Sequence, residues 1–372
     1  MKPRQDSRGF LLSKLDKEND MGQAISKLTI KGYKSIRNLD NFELHNINIL
    51  IGPNGAGKSN FLSFFTLVRA TLSENSKGEM DKLGKANRLF YMGSKVTKTC
   101  EFKVRSMGGV TGFSFSRCII ADPEDSLILN PEYPGMDSGE YPSAQDGQKY
   151  LDDAKKIFQK NIRLYHFHDT STLAGVKKYC SIRDYEYLHA DASNVAAFLW
   201  YLKKKHEKEY KIIREVTQLA APFFDDFLLR ESIKDPDDTL LEWRQKGSDY
   251  PFHPSQISDG TLRFICLATV LLQPDPPSTI LLDEPELGLH PYALALLAEL
   301  IQKTSLKTQI IVATQSAALI DHFKPEDIIL VERKNEESVF SRPDMEKLKI
   351  WLEDYSLGDI WSRNIIEGTA GQ

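Results

Sequence analysis

Gly52-Pro53-Asn54-Gly55-Ala56-Gly57-Lys58-Ser59 fits the phosphate-binding pattern G-x-x-x-x-G-K-[ST] and follows directly on the apolar run Ile47-Asn48-Ile49-Leu50-Ile51. A strand feeding a glycine loop that opens into a helix, here Asn60 to about Thr71, aims backbone N–H groups and the positive helix end at one point. That arrangement suits a nucleotide polyphosphate. Lys58 is placed to reach the β- and γ-phosphates and Ser59 to bind Mg²⁺, with Asn54, Gly55, Ala56, Gly57 and Asn60 completing the nucleotide contacts. The glycines let the backbone approach the phosphates closely.

A second group lies far along the chain. Ile280-Leu281-Leu282-Asp283-Glu284-Pro285-Glu286 is an apolar strand ending in acids. Asp283 would hold Mg²⁺ through its water shell, and Glu284 would accept a proton from an attacking water. Ahead of it, Ser255-Gln256-Ile257-Ser258-Asp259-Gly260-Thr261-Leu262-Arg263 is a polar turn that runs into the apolar segment Phe264 to Leu272. On its own the turn reads equally as a helix N-cap through Ser258 or Asp259 with Gly260. Its place shortly before Asp283 favours a second use, in which the Ser258 hydroxyl, Asp259, Gly260 and the helix N-terminus supply donors to a γ-phosphate.

The three groups in this order resemble an AAA family ATP-binding protein of the SMC/RecF-like ABC class, a compact ATPase related to the ATPase part of overcoming-lysogenization-defect (OLD) proteins. The resemblance runs from about Ile25 to Ile366. It rests on Gly32-Tyr33-Lys34-Ser35-Ile36, the phosphate loop, Ser258-Asp259-Gly260-Thr261-Leu262-Arg263 as a variant of the LSGGQ signature, Asp283-Glu284-Pro285-Glu286 with Leu289-His290-Pro291, and Trp351-Leu352-Glu353. It implies ATP and Mg²⁺ as ligands, Lys34 and Ser35 near the nucleotide, and Gly288 to Pro291 as a D-loop at a dimer seam. It also implies a homodimer whose signature segments complete each other's ATP sites. The family's usual Thr-His-Ser is Thr314-Gln315-Ser316 here. Gln315 can donate to a γ-phosphate but carries no charge, and its alternative is to cap the helix that follows. Ile329-Leu330-Val331-Glu332-Arg333 resembles the opening of a Toprim nuclease domain. Arg333 stands where that domain has glycine, and too few residues follow for its remaining acids.

The elements that must position these groups read as α/β. Strands are expected around Leu28 and Ile30, with Tyr33 just beyond, and around Phe42 and Leu44, and a hairpin from about Lys98 to Ile120 turning at Gly108-Gly109 would cover one side of the nucleotide. Residues 121–148, rich in Pro, Gly, Asp and Ser, read as a surface loop. Asp191 or Ser193 would cap a helix carrying Val195, Phe198, Leu199 and Leu202, and a second helix runs through Ile212, Ile213, Val216 and Leu219. Lys203-Lys204-Lys205, with Lys208 and Lys211, reads as a solvated face with a phosphate contact as its alternative. The last third alternates buried strands with helices such as Tyr292 to Lys303, the pattern of a parallel sheet. His166-Phe167-His168-Asp169 has histidines at strand spacing but no further metal ligands in sight.

The expected architecture is therefore an ABC-type (SMC/RecF-like) P-loop ATPase head with a mixed sheet, an antiparallel N-terminal lobe and a small helical insert. Its divisions are a polar tail at 1–20, with Met21 as an alternative start, an N-terminal lobe at 21–185, a helical insert at 186–225 and a C-terminal lobe at 226–372. With 48 basic against 52 acidic residues and a formal charge of -4, DNA contact would need a local patch. Four scattered cysteines and the lack of a long apolar run fit a cytoplasmic protein with no membrane span. The functional expectation is an ATPase that dimerises on ATP and gates DNA or a separately encoded nuclease or toxin, in DNA repair or antiphage defence. Its rivals are a transporter's nucleotide-binding subunit and an ATP-dependent scaffold with little turnover. The 225 residues between Lys58 and Asp283 speak against the transporter.

Overall fold

The computed structural model describes residues 24–106, 114–130, 155, 158, 161–232, 235–363 and 365. The tail at 1–20, Met21, the Gly108-Gly109 turn, residues 131–148 of the expected loop and Ile366 lie outside them. Along the chain the strands begin with β1 (Ile25–Tyr33), β2 (Ile36–Glu43), β3 (Ile47–Ile51), β4 (Thr99–Ser106), β5 (Ser114–Ala121), β6 (Leu127–Leu129) and β7 (Ile162–Tyr165). They continue with β8 (Cys180–Ser181), β9 (Phe224–Leu228), β10 (Asp238–Thr239), β11 (Glu242–Gln245), β12 (Thr279–Asp283), β13 (Gln309–Thr314), β14 (Ile328–Lys334) and β15 (Glu337–Ser341). The helices are α1 (Lys58–Leu72), α2 (Ser76–Leu83), α3 (Ala86–Leu89), α4 (Val195–Lys205), α5 (Glu207–Ala220), α6 (Asp259–Leu272), α7 (Pro291–Thr304), α8 (Ala317–Ile320), α9 (Met345–Leu352) and α10 (Leu357–Ser362).

The chain forms two compact units, each gathered from separate stretches of sequence. One takes in the described residues up to Leu164, with Pro277–Leu281 and those from Lys307 onward. The other takes in Tyr165–Pro276 and Leu282–Leu306.

The first unit carries the phosphate loop and two sheets. Its antiparallel sheet has the order β2-β1-β4-β5-β6. β4 and β5 pair from Thr99↔Ile120 to Arg105↔Ser114, which is the expected hairpin. Residues 121–130 of the expected loop are instead a tight turn and a strand. Asp122 Oδ1 accepts from the N–H groups of Glu124 (2.9 Å) and Ser126 (2.8 Å), and this side-chain turn folds β6 back onto β5. Pro123 and Asp125 thus mark a tight turn between strands. β1 and β2 are also longer than the expected segments, because the exposed residues within them face water from one side of the sheet.

The second sheet runs β15-β14-β3-β13-β12-β7. β3 lies between β13 and β14, parallel to both, and all its residues are buried, which suits a central strand. Phe61, Phe64 and Phe65 of α1 enter the core between the sheets, where edge-to-face contacts run from Tyr33 through Phe64 and Phe102 to Phe115 and Phe158.

In the second unit, α6 packs on α4, α5 and α7. It buries ten of its fourteen residues, as a helix apolar almost all round must. The α4 helix starts as its apolar spacing predicts, but neither Asp191 nor Ser193 is its cap. Asn194 holds that position, and its side chain instead bonds the backbone oxygens of Asp184 and Tyr187. Phe224, Trp243 and Phe252 stack beside the β9–β11 pair. Among the described residues no helix is long and apolar enough to cross a membrane.

Candidate functional site

In the first unit the register places the phosphate loop between two neighbours. Ile51 pairs with Thr314 on one side and with Leu330 on the other, so Gln315 and Val331 to Arg333 flank the loop. Gly52 is required here, since a Cβ on it would lie 2.1 Å from the Val331 carbonyl oxygen. Gly57 sits at φ +117° and caps α1 without a side-chain bond, and the first turn holds no acid. The donors of that turn and the positive helix end therefore favour an anion. Lys58 is buried, and its Nζ donates to the carbonyls of Gly52 (2.6 Å) and Pro53 (3.0 Å), spanning the loop from inside.

Gln315 Nε2 donates to Asn54 Oδ1 at 2.6 Å, while the α8 cap is Ser316, whose Oγ accepts from the Leu319 N–H. The capping alternative for Gln315 thus falls to Ser316, and the amide meets the loop tip. Arg333 lies over the same tip, Nη1 3.4 Å from the Gly55 carbonyl. Ser35 and Asn60 meet beneath the loop, with Asn60 Nδ2 donating to Ser35 Oγ at 2.7 Å. Lys34 turns elsewhere. Its Nζ donates to Ser63 on α1 (2.9 Å), and burial, then the Arg88 charge, lowers its pKa.

Sequence reasoning missed Ser338. It shares the inward face of β15 with Phe340, and its Oγ reaches both Ser35 Oγ (2.6 Å) and the Ala56 carbonyl. The available signal is a hydroxyl on the buried side of an otherwise alternating strand.

The second unit holds Asp283, Glu284 and the signature segment. Asp283 ends β12 with only 8% exposure, and Glu284 follows at φ +43°, a left-handed conformation that ends the strand abruptly. Such a backbone stores strain of order 1–2 kcal/mol per residue, a cost that clusters at functional sites. His166 Nδ1 lies 3.5 Å from Asp283 Oδ2. His168 Nε2 donates to the Asp283 carbonyl at 2.9 Å, which fixes its proton on Nε2 because a carbonyl can only accept. The two histidines that offered no metal set in the sequence therefore stand beside the acid. Only the fold brings them there.

Ser258 caps α6, its Oγ accepting from the Thr261 N–H at 3.2 Å. Asp259 Oδ1 accepts from the buried Lys177 Nζ at 3.1 Å. Gly260 packs on the turn at Gly288 so closely that a Cβ would meet the Gly288 carbonyl oxygen at 2.1 Å. Arg263 binds two segments at once, donating to the carbonyls of Phe167, His168 and Leu287, each at 2.9 Å. His168, Arg263, Asp283 and Glu284 line a shallow recess.

Residues 27–235 match the "AAA domain" family, and residues 151–321 match the family described as "AAA domain, putative AbiEii toxin, Type IV TA system". The structural maintenance of chromosomes protein 3 of Saccharomyces cerevisiae is 33% identical over 108 residues, 28% of this chain and 7% of that protein. A "Putative ABC transporter ATP-binding protein" of Methanosarcina acetivorans is 33% identical over 114 residues, 30% of this chain and 38% of that one. The chain thus spans well under two thirds of either relative. An SMC head crystallised with the C-winged helix domain of ScpA superposes with a TM-score of 0.60 at 19% identity, covering 88% of this chain and 99% of that one. Matched over more than half its length, the chain belongs to the AAA-domain family, and its fold is that of an SMC head.

Proposed function

We propose that the chain binds ATP with Mg²⁺ at the Lys58 loop, hydrolyses it with Asp283 and Glu284, and closes as a homodimer when ATP is bound. The observation that carries this reading is the loop itself, a complete G-x-x-x-x-G-K-S leaving a central parallel strand and entering a helix whose first turn has neither side-chain cap nor acid. Asn54, Gly55, Ala56, Gly57 and Asn60 line the nucleotide, Ser35 supports the loop from beneath through Asn60, and Lys58 offsets phosphate charge. Ser59 and Asp283 offer a hydroxyl and a carboxylate, the hard oxygen donors that Mg²⁺ takes. Mg²⁺, when bound, screens the phosphates and orients them for in-line attack. Glu284 takes the proton of the attacking water, and Ser258, Asp259 and Gly260 of a second copy close over the γ-phosphate.

The cycle would gate DNA or a separately encoded nuclease or toxin, in DNA repair or antiphage defence. The SMC head that is similar in fold was crystallised with a separate protein, which favours a partner in trans. The Methanosarcina relative favours a second reading, a nucleotide-binding subunit of a transporter, and co-purification with a membrane complex would support it. Steady-state ATP hydrolysis with and without DNA separates an enzyme from a scaffold. Lys58→Ala should abolish ATP binding in a protein that melts like the parent. Glu284→Gln should keep binding and slow turnover by about 10²-fold or more. Parental turnover in both variants would refute the assignment.

A further inference from the structure

Four groups from three separate stretches of the chain meet under the phosphate loop. Asn60 Nδ2 lies 2.7 Å from Ser35 Oγ, Ser35 Oγ lies 2.6 Å from Ser338 Oγ, and Ser338 Oγ reaches the Ala56 carbonyl oxygen. The chemistry of the ends fixes the direction of every bond. An amide nitrogen can only donate and a carbonyl can only accept. Each hydroxyl has one proton, so Ser35 accepts from Asn60 and donates to Ser338, and Ser338 donates to Ala56. Both serines are buried, at 8% and 3% exposure, so water does not compete for these bonds. The backbone holds the same junction, with the Ser338 N–H donating to the Ser35 carbonyl at 2.7 Å.

The end of this chain matters for a ligand. The described peptide bonds are trans, so the carbonyl of Ala56 and the N–H of Gly57 point in opposite directions from one plane. Fixing the carbonyl onto Ser338 fixes the Gly57 N–H away from it. Ser338 also occupies the space a side chain would need, since a Cβ on Gly57 would lie 2.0 Å from Ser338 Oγ and 2.9 Å from Ser35 Oγ. The register of Ser338 is set by a two-residue turn: Lys334 pairs with Glu337, and Asn335 and Glu336 both have positive φ.

We propose that Ser338 is a positioning residue for nucleotide binding: the hydrogen-bond chain Asn60, Ser35, Ser338, Ala56 locks the peptide plane before Gly57 so that its N–H is presented to the nucleotide phosphates. This rests on ATP binding at the Lys58 loop. Ser338 does not touch the nucleotide and acts through the loop alone. Removing its hydroxyl leaves the Ala56 carbonyl without its partner and frees the plane to rotate, which weakens binding before chemistry.

The test is titration of the full chain with a fluorescent ATP analogue in the presence of Mg²⁺, together with steady-state turnover and a thermal melt. Ser338→Ala should weaken affinity about tenfold and raise KM in parallel, with kcat at saturation within about twofold of the parent. Ser35→Ala should act alike, and the double variant should lose little more than either single one, because both break one chain. A lowered melting temperature with unchanged affinity would make Ser338 merely structural and overturn the proposal, as would full additivity of the two effects. Should Ser338→Ala not fold, Ser35→Ala, which leaves β15 intact, carries the same expectation. Lys58→Ala separates the two levels. If it binds the analogue as the parent does, the ATP site itself is refuted and this inference with it. If it loses binding while Ser338→Ala keeps it, only the role of Ser338 falls.

Discussion

Gln315 stands where the sequence resemblance implies a histidine, and its amide bridges β13 to Asn54 at the loop tip. A neutral donor can hold a γ-phosphate oxygen but adds no positive charge as negative charge develops in the transition state. Basal turnover should therefore be slow and flat across about pH 6 to 8 as far as this residue is concerned. Gln315→His should raise hydrolysis or give it a new pH dependence near the imidazole pKa of about 6.5. Gln315→Ala should lower turnover with ATP affinity little changed. Parental rates for both variants across that pH range would show Gln315 to be structural. Arg333 adds a cation over the same tip, Nη1 3.4 Å from the Gly55 carbonyl.

Where elements meet, two glycines have a role that no side chain could take. Gly260 opens α6 against Gly288, and Arg263, one turn further on, ties the same helix to Leu287 and to the carbonyls of Phe167 and His168. α6, the turn at Leu287 and Gly288 and the segment at Phe167 and His168 are thus tied together, and a shift of any one breaks bonds to the others. Gly260→Ala forces a Cβ against the Gly288 carbonyl. Such overpacking should cost about 1–3 kcal/mol of stability, visible as a lowered melting temperature. It should also impair ATP-driven dimerisation more than ATP binding, since the displaced D-loop lies at the proposed seam. Unchanged stability and dimerisation would mean that the α6 start yields without disturbing Gly288.

The whole molecule divides into a unit bearing the phosphate loop and Gln315 and a unit bearing Asp283, Glu284 and the signature. If signature donors come from a second copy, two defective chains can complement each other. Ser258→Arg should spare ATP binding by its own chain yet block dimerisation, because bulk and charge fill the seam. Mixing Ser258→Arg with Lys58→Ala gives heterodimers with one composite site whose halves are both native. Such mixtures should hydrolyse ATP faster than either variant alone. Heterodimers that form without regaining activity would place the signature's partner within its own chain.

The sequence by itself determined the elements and residues whose meaning is local. The phosphate loop needs a run of consecutive backbone N–H groups, and β3, β12 and β13 are buried on both faces and so appear as apolar runs. α6, by its cap and apolar face, and α7, by its apolar face, are likewise legible there. What required the tertiary structure depends on partners hundreds of residues away. Ser338 is an ordinary strand serine until β14 pairs with β3 and brings it under Ala56. His168 is a lone imidazole until the chain sets it on the Asp283 carbonyl. Arg263 could as well be solvent-exposed until three carbonyls converge on it. β6 was hidden by turn-rich composition, since an aspartate that caps a hairpin turn looks like one in any loop. Local pattern fixes backbone conformation because it acts over one turn or one strand, whereas a hydrogen-bond partner is set by which strands pair, and pairing is decided by burial of the whole sheet.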